Sequence, residues 1–232
     1  LEEVEVVGAD LEGLTGLMFD HPGLSAAPME GKERWFRIKA APETPPGTYD
    51  VRTVGRFGVS SPRLFAISRG LKDVSDNTKN HSPPEAQVID LNTAVNGMID
   101  GNAEDIYKLL GVKGQRIWID CQAQRLDSEL DGQLSLVDNQ GRALATNGDH
   151  YGVDPFLDVT LPADGEYFVV LNDLSYRGGY PYRLVVSNLP HVEIVFPAAV
   201  RAGTTANLQA FGTNLGPGAK SSTWTVQDQT LE

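Results

Sequence analysis

The sequence predicts an all-β protein whose centre is a β-sandwich with jelly-roll character, placed between further β modules. Three observations indicate this. Apolar side chains recur at every second position in short runs, as at Ile117, Ile119 and Cys121, with Arg116, Asp120 and Gln122 on the other side, which is typical of a half-buried strand. Between residues 88 and 188, turns marked by glycine separate such runs at short intervals, as in sandwiches. Residues 1–70 carry no 3.6-residue apolar stripe long enough for a stable helix.

Length and charge limit the classes of function. The chain has 232 residues, which allows one large domain or two to three small ones. Its net charge of −12 is dispersed along the sequence and repels nucleic-acid phosphates and anionic lipid. No apolar run approaches the roughly 18 residues of a membrane span. We therefore expect that the protein neither binds nucleic acid nor inserts into a membrane.

The single cysteine excludes an intramolecular disulfide and a cysteine metal cluster. Cys121 lies on the apolar side of its strand, where a thiol is usually buried and structural rather than a nucleophile.

In chain order, residues 1–70 are interpreted as a β domain, residues 71–87 as a linker or long surface loop rich in turn formers, and residues 88–188 as the sandwich. The sequence from 189 to 232 begins another β module. Here Leu208–Leu215 aligns with Val4–Leu11, because glycine and leucine coincide and Asn214 matches Asp10. This repeat predicts a fragment of a longer protein, in which the first module lacks its first strand and the last module is partial.

The core of the central sandwich is predicted from the apolar side of each strand. The expected core residues are Ile117, Ile119, Cys121, Leu134, Leu136, Leu157, Val159, Tyr167, Val169, Leu184 and Val186.

Residues 86–188 resemble the bacterial pre-peptidase C-terminal domain family. The segments that carry the resemblance are Asn96–Asp100, Glu104–Leu109, Lys113–Arg116, Leu134–Gly141, Leu157–Pro162 and Gly165–Tyr167. The flanking modules resemble Ig-like domains of the IPT/TIG type through a Gly-x-x-Leu turn and a Pro-Gly-Thr-Tyr turn. The resemblance implies a jelly-roll-like sandwich flanked by Ig-like sandwich modules. Members of the family are non-catalytic appendages of exported bacterial proteins, often hydrolases; some relatives bind polymers and some bind calcium.

The function expected from the resemblance is a non-catalytic accessory, adhesion or spacer module, secreted or held at the cell surface or in the periplasm, although no signal peptide is visible. Its partners would be an extracellular polysaccharide or protein and other domains of the same longer chain. One alternative is the non-catalytic part of a secreted, protease-like hydrolase whose catalytic domain lies outside these residues. Another is a structural module rigidified by calcium. We expect no enzymatic activity, because every catalytic motif that we sought is missing from the sequence.

No cofactor is required, but a calcium site is one candidate near the start of the sandwich; the alternative is an ordinary solvated loop of charged residues. Asp100, Asn102, Glu104 and Asp105 place four oxygen-bearing side chains within six residues, and calcium takes six to eight oxygen ligands. By resemblance, relatives add ligands from the preceding linker. Asn80 falls where a relative has Asn, whereas Thr78 stands where a relative has Glu.

Two aromatic loops are candidate ligand sites, in His150–Phe156 and Tyr176–Tyr182. Tyrosines beside glycines on loops suit flat ligands such as sugars or peptide chains. The residues predicted to contact a ligand are Tyr151, Tyr176, Arg177 and Tyr180. In the alternative interpretation, Tyr180 and Tyr182 begin the last strand of the sandwich and pack inward.

Overall fold

The computed structural model of this chain describes residues 2–216 and 221–226. Its regular structure is almost entirely strand, with two one-turn 3-10 helices at Pro83–Glu85 and Gln124–Leu126 in the described part. The all-β prediction is therefore confirmed. No helix among the described residues is long and apolar enough to cross a membrane. The chain divides into two compact units, Leu1–Arg69 with Arg125–Asp127, and Gly70–Gln124 with Ser128–Glu232.

The first unit contains two small antiparallel sheets. Its strands are β1 (Glu2–Glu5), β2 (Gly16–Phe19), β3 (Leu24–Pro28), β4 (Trp35–Ala40), β5 (Gly47–Gly55), β6 (Gly58–Val59) and β7 (Arg63–Ile67). One sheet has the order β1-β4-β3, and the other has the order β2-β5-β6 with β7 also paired to β5. Phe36 and Ile38 of β4 are buried with Leu24 of β3, which gives this unit a small apolar core.

The second unit is built around a sandwich of two five-stranded sheets. Its strands are β8 (Lys72–Ser75), β9 (Gln87–Val88), β10 (Thr93–Ile99), β11 (Asp105–Gly111), β12 (Arg116–Gln122), β13 (Gly132–Asp138), β14 (Ala143–Asn147), β15 (Phe156–Thr160), β16 (Gly165–Asp173) and β17 (Tyr180–Ser187), followed by β18 (His191–Phe196), β19 (Ala206–Thr213) and β20 (Ser221–Val226). The sandwich sheets have the orders β15-β12-β17-β10-β8 and β14-β13-β16-β11-β9. A third sheet has the order β18-β19-β20.

The core lies between the two five-stranded sheets. Burial alternates strictly along β13, with Leu134 and Leu136 fully buried and Gln133, Ser135 and Val137 half-buried. Every residue predicted for the core belongs to this cluster, with Val159 only partly buried. Cys121 is buried within it, as predicted.

The strand at the centre of the sequence prediction, β12, is buried on both faces rather than on one. Trp118 is 7 % exposed and Asp120 is 2 % exposed, although both point away from the core. Trp118 packs there in a second apolar cluster with Phe156, Val185 and other residues. The period-2 pattern identified the core face correctly, but it did not predict that the opposite face is covered as well.

The segment interpreted as a linker, residues 71–87, contributes strands to the sandwich. Strand β8 pairs in parallel with β10, and β9 pairs in parallel with β11. Turn-forming residues around Asn77 and Asn80 had indicated a loop, and they do connect these two strands. This segment places two short strands at the edges of the two sheets.

The backbone repeats where the sequence repeats. Gly8 and Gly212 have φ values of 154° and 158°, and Asp10 and Asn214 both have φ of 56°. Asp and Asn adopt positive φ at lower cost than most residues. The shared motif therefore encodes the same turn in both copies.

Candidate functional site at one end of the sandwich

The loops at one end of the sandwich contain most of the residues that the sequence singled out. The loop between β10 and β11 lies directly against the loop between β16 and β17. A Cβ on Gly178 would come within 2.1 Å of the Gly101 nitrogen, so this packing requires glycine. The Gly179 N–H also donates to the Ile99 carbonyl at 2.7 Å.

Two tyrosines from opposite sheets meet behind these loops. Tyr107 of β11 and Tyr182 of β17 point into the core with exposed fractions of 0 % and 4 %. Gly97 of β10 lies opposite Tyr182 in the strand register. A Cβ on Gly97 would lie 2.5 Å from the Tyr182 hydroxyl, so the glycine makes room for the ring.

The tyrosine hydroxyls are linked to two carboxyl groups. Tyr107 hydrogen-bonds Asp76 Oδ1 at 2.8 Å, and Tyr182 hydrogen-bonds Asp105 Oδ2 at 2.6 Å. The two hydroxyls also hydrogen-bond each other. Burial raises the pKa values of both tyrosines, so the hydroxyls stay protonated. We call Asp76, Tyr107, Tyr182 and Asp105 the buried chain.

His81 lies between two acidic side chains beside the buried chain. Its Nδ1 is 3.1 Å from the Glu104 carbonyl oxygen and 3.6 Å from Asp105 Oδ1, and its Nε2 is 3.4 Å from Asp100 Oδ2. The hydrogen bond to the Glu104 carbonyl is the main reason that the pKa of His81 is raised. This position between Asp100 and Asp105 therefore favours the protonated form of the imidazole.

The residues predicted to bind calcium do not form a ligand set in this arrangement. Asn102 and Glu104 have exposed side chains, and the Asp100 side chain is 65 % exposed. Asp105 is buried, but one of its oxygens is already bonded to Tyr182. Within residues 2–216 and 221–226, no group of three or more His, Cys, Asp or Glu side chains is placed to hold a metal ion.

Asn80 is a predicted ligand whose buried polar atoms lack partners. Its side chain is fully buried, and neither Oδ1 nor Nδ2 has a hydrogen-bond partner. Burying an unpaired polar group costs about 1–3 kcal/mol. A cation would use only Oδ1 and would leave Nδ2 unpaired, so this side chain does not by itself indicate a metal site. The Asn80 backbone does serve the fold, because its carbonyl accepts the Ile106 N–H at 2.8 Å.

The β16–β17 loop is held by one buried carboxylate. Asp173 accepts hydrogen bonds from the N–H and Oγ of Ser175 at 2.9 and 2.8 Å, and from the N–H groups of Arg177 and Gly178 at 3.1 and 3.2 Å. Burial alone would raise the pKa of Asp173, but the hydrogen bonds together lower it. The loop therefore has a defined shape that depends on an ionised carboxylate.

This loop presents Tyr176 to solvent. Tyr176 is 68 % exposed and has φ of 55°, a left-handed conformation that is costly for an aromatic residue. A hydrogen bond with Tyr180 raises the pKa of Arg177, which places the guanidinium beside the Tyr180 hydroxyl. That hydroxyl also contacts Glu129 Oε2 at 3.4 Å. Tyr176 and Arg177 thus share one loop, and Tyr180 follows it as the first residue of β17.

Tyr151 has a different position from the one predicted. It is half-buried, its hydroxyl is 3.4 Å from His191 Nε2, and its ring packs edge-on against Phe156. His191 in turn lies against Trp118 at a centroid distance of 4.7 Å, and the Trp118 Nε1–H donates to the Leu189 carbonyl at 2.8 Å. Tyr151 is therefore part of a packed aromatic cluster that joins β18 to the sandwich, not a solvent-exposed ligand contact.

Comparisons with known proteins give only distant likenesses. No family model matches the chain, and no curated protein matches it. Among solved structures, the pre-peptidase C-terminal domain of a Bacillus anthracis collagenase is 21 % identical, with a TM-score of 0.39, and the match covers 47 % of this chain and all of that one.

Two other solved structures are similarly remote. Aeromonas hydrophila PliG, a periplasmic inhibitor of g-type lysozyme, is 15 % identical, with a TM-score of 0.35, over 50 % of this chain and 98 % of that one. A protein of the Bacteroides ovatus mixed-linkage glucan utilization locus, solved with a mixed-linkage heptasaccharide, is 8 % identical, with a TM-score of 0.25, over 80 % of this chain and 71 % of that one. At these TM-scores, none of the three supports an argument about function.

The sequence interpretation missed Asp76, Tyr107 and Tyr182 as site residues. One signal for them was available, because a tyrosine at an inward position of a strand needs a hydrogen-bond partner for its hydroxyl. Which partner it finds depends on the pairing of β10 with β17 and of β11 with β16.

Proposed function

We propose that this chain is a non-catalytic accessory module of an exported protein and that it binds an extracellular polysaccharide through the β16–β17 loop. The observation that carries this proposal is Tyr176. It is a large aromatic side chain left in solvent by a loop that is otherwise fixed by Asp173. A non-glycine residue held in left-handed backbone conformation costs of order 1–3 kcal/mol, and such strain concentrates at functional sites.

The neighbours of Tyr176 suit a sugar ligand. A tyrosine ring offers a flat apolar face, against which the C–H face of a pyranose ring can lie. Arg177 is an exposed donor, and Glu129 accepts from Tyr180 at the edge of the same surface. Donors and acceptors beside a ring are what the hydroxyl groups of a polysaccharide require.

The proposal is tested with the full chain by affinity electrophoresis in gels containing soluble polysaccharides and by pull-down with insoluble ones. The Tyr176→Ala variant is compared with Phe57→Ala, a matched control because Phe57 is an aromatic residue with 67 % exposure in the first unit. We expect Tyr176→Ala to lower affinity at least about 10-fold, since truncating a central aromatic contact typically costs about 2 kcal/mol and about 1.4 kcal/mol is tenfold in affinity. Phe57→Ala should bind as the wild type does.

Two outcomes contradict the proposal. Equal retention of both variants by every polysaccharide that the wild type binds would place the ligand elsewhere. Binding to a fibrous protein and to no polysaccharide would replace a sugar with a protein polymer as the partner. Melting temperatures of both variants should stay close to that of the wild type, because neither side chain is buried.

We also propose a spacer role, which a different observation favours. Trp118 and His191 connect the sandwich to β18 through ring packing, and Asn214 Nδ2 donates to the carbonyls of Arg116 and Asn188 at 3.0 Å each. Thr213 Oγ1 adds a hydrogen bond to Asp158 at 2.7 Å. Such a joint holds successive modules in one orientation. Backbone ¹⁵N relaxation tests it: independent tumbling of residues 191–213 would exclude a rigid spacer.

A further inference from the structure

The buried chain has more hydrogen bonds than its hydroxyl groups can supply. Its three contacts run from Asp76 to Tyr107, from Tyr107 to Tyr182, and from Tyr182 to Asp105. Each contact needs one hydrogen atom between its two oxygens. The two tyrosine hydroxyls provide two hydrogens, and an ionised carboxylate provides none. With both carboxyl groups ionised, one contact would bring two lone pairs together without a hydrogen.

The predicted calcium ligands are not arranged as a ligand set, which points to an occupant other than calcium at this end of the sandwich. We propose that this end of the sandwich binds a proton on Asp105, and that loss of this proton loosens the attachment of residues 76–82 to the sandwich. With Asp105 protonated, its O–H donates to Tyr182, Tyr182 donates to Tyr107, and Tyr107 donates to Asp76. Every contact then has one hydrogen.

Burial and local hydrogen bonds place the proton on Asp105 rather than on Asp76. Asp105 is 1 % exposed, whereas Asp76 is half-buried. Asp76 Oδ2 also accepts the Thr78 N–H at 3.0 Å, so both oxygens of Asp76 already act as hydrogen-bond acceptors. Burial, more than any other cause, raises the pKa of Asp105 to about 6.

The charged groups that face Asp105 come from three segments. Asp76, after β8, and Asp100, after β10, raise the pKa of Asp105, while the Tyr182 hydrogen bond and His81 lower it. Glu104 faces the site with its carbonyl, which is bonded to His81. His81 has a raised pKa as well, so it contributes stability at low pH in the same direction as Asp105.

The sign of the effect follows from the raised pKa. The folded-state pKa of about 6 lies above the ordinary aspartate pKa of 3.8. The stability that Asp105 contributes is therefore fully present below about 3.8 and is lost as the pH rises through about 6. Between pH 4 and pH 7, this single group should raise the unfolding equilibrium constant about 50-fold.

The direct test is a ¹³C NMR titration of the Asp105 carboxyl carbon in the full chain. We expect a midpoint near 6, well above that of an ordinary aspartate. A midpoint below about 4.5 would overturn the proposal, because Asp105 would then be ionised throughout the neutral range. This measurement uses the wild-type protein and does not depend on any variant folding.

The second test compares Asp105→Asn with Asp100→Asn by urea denaturation from pH 4 to pH 7. The Asn amide donates to Tyr182 at every pH. Asp105→Asn should therefore lack the 50-fold increase in the unfolding equilibrium constant that the shift of about two pKa units produces in the wild type. Asp100→Asn removes a carboxylate from the same end of the sandwich but outside the buried chain. Asp100 is the smallest of the causes that raise the pKa of Asp105, so this variant should keep most of the wild-type pH dependence. Identical pH profiles for Asp105→Asn and the wild type would refute the proposal.

Calcium provides a third arm. Each urea series is repeated with calcium in excess and with a chelator in excess. We expect the midpoints to coincide, because these residues do not form a ligand set. A calcium-dependent increase in stability that Asp105→Asn abolishes would identify a metal ion as the occupant and overturn the proton proposal.

Discussion

Replacing Asp173 by Asn should destabilise the sandwich and abolish the defined conformation of the β16–β17 loop, which carries Tyr176. Its carboxylate accepts four hydrogen bonds, three of them at Oδ2, from Ser175, Arg177 and Gly178. Asn keeps only one acceptor oxygen. In either orientation of the amide, its NH₂ group faces at least one N–H donor.

The magnitude follows from these bonds. If the amide oxygen replaces Oδ2, the Ser175 N–H loses its acceptor, which costs about 1–3 kcal/mol. The three remaining bonds change from charge-assisted to neutral, and each loses a fraction of a kcal/mol to about 1 kcal/mol. Asp173 is only 2 % exposed, so water cannot easily replace what is lost. We expect a decrease of about 3 kcal/mol in the free energy of unfolding.

The assay is urea denaturation of the full chain followed by circular dichroism at pH 7. The control is Asp164→Asn, in which an exposed carboxylate accepts a single backbone N–H, from Lys113 at 2.7 Å. It should cost no more than about 1 kcal/mol. A change of less than about 0.5 kcal/mol in Asp173→Asn would refute the reasoning, since that is the range of ordinary surface substitutions.

Measurements at acidic pH provide an independent check of the role of Asp173. The pKa of Asp173 is lowered by its hydrogen bonds despite burial. The stability that it contributes is therefore present above the unfolded-state pKa and is lost as the pH falls through the lower folded-state value. The difference between the wild type and Asp173→Asn should shrink at strongly acidic pH, and the polysaccharide affinity of the two proteins should converge there.

Two further substitutions test the packing described above. Gly178→Ala should cost several kcal/mol, because its Cβ would meet the Gly101 backbone at 2.1 Å. The control Gly179→Ala meets nothing within 4 Å and should cost only the left-handed penalty of about 1–2 kcal/mol. Equal melting temperatures for the two variants would argue against this loop packing. Trp118→Phe keeps an aromatic ring but removes the hydrogen bond to the Leu189 carbonyl. We expect the free energy of unfolding to fall by about 0.5–1.5 kcal/mol and ¹⁵N relaxation to show greater mobility of residues 191–213. Unchanged relaxation would mean that this hydrogen bond does not fix the joint.

The strands of the sandwich were predictable because a buried face repeats with a period of two. Leu134 and Leu136 show this clearly, since both are buried while Ser135 between them is half-buried. The same pattern could not predict the burial of Trp118 and Asp120. Whether the outer face of a strand meets water depends on which distant segments cover it, and Phe156 and Val185 reach Trp118 only in the folded chain.

The candidate site was predictable in part for a related reason. Tyr151 and Tyr176 both precede glycine within two residues and look alike in sequence. Tyr151 packs against Phe156 and contacts His191. Tyr176 is not covered in this way and stays 68 % exposed. Tyr107 and Tyr182 are 75 residues apart, so only the pairing of strands brings their hydroxyls together.

The two short strands in residues 71–88 have a practical consequence for anyone trimming this protein. β8 and β9 cover one edge of each sheet, next to β10 and β11, which are seven residues long. A protein that begins at residue 89 would leave those two longer strands with rows of unpaired N–H and C=O groups, which other chains can extend into aggregates. The short, polar segment that looks dispensable in sequence thus protects the sandwich from self-association, and a soluble sandwich domain should begin before Lys72.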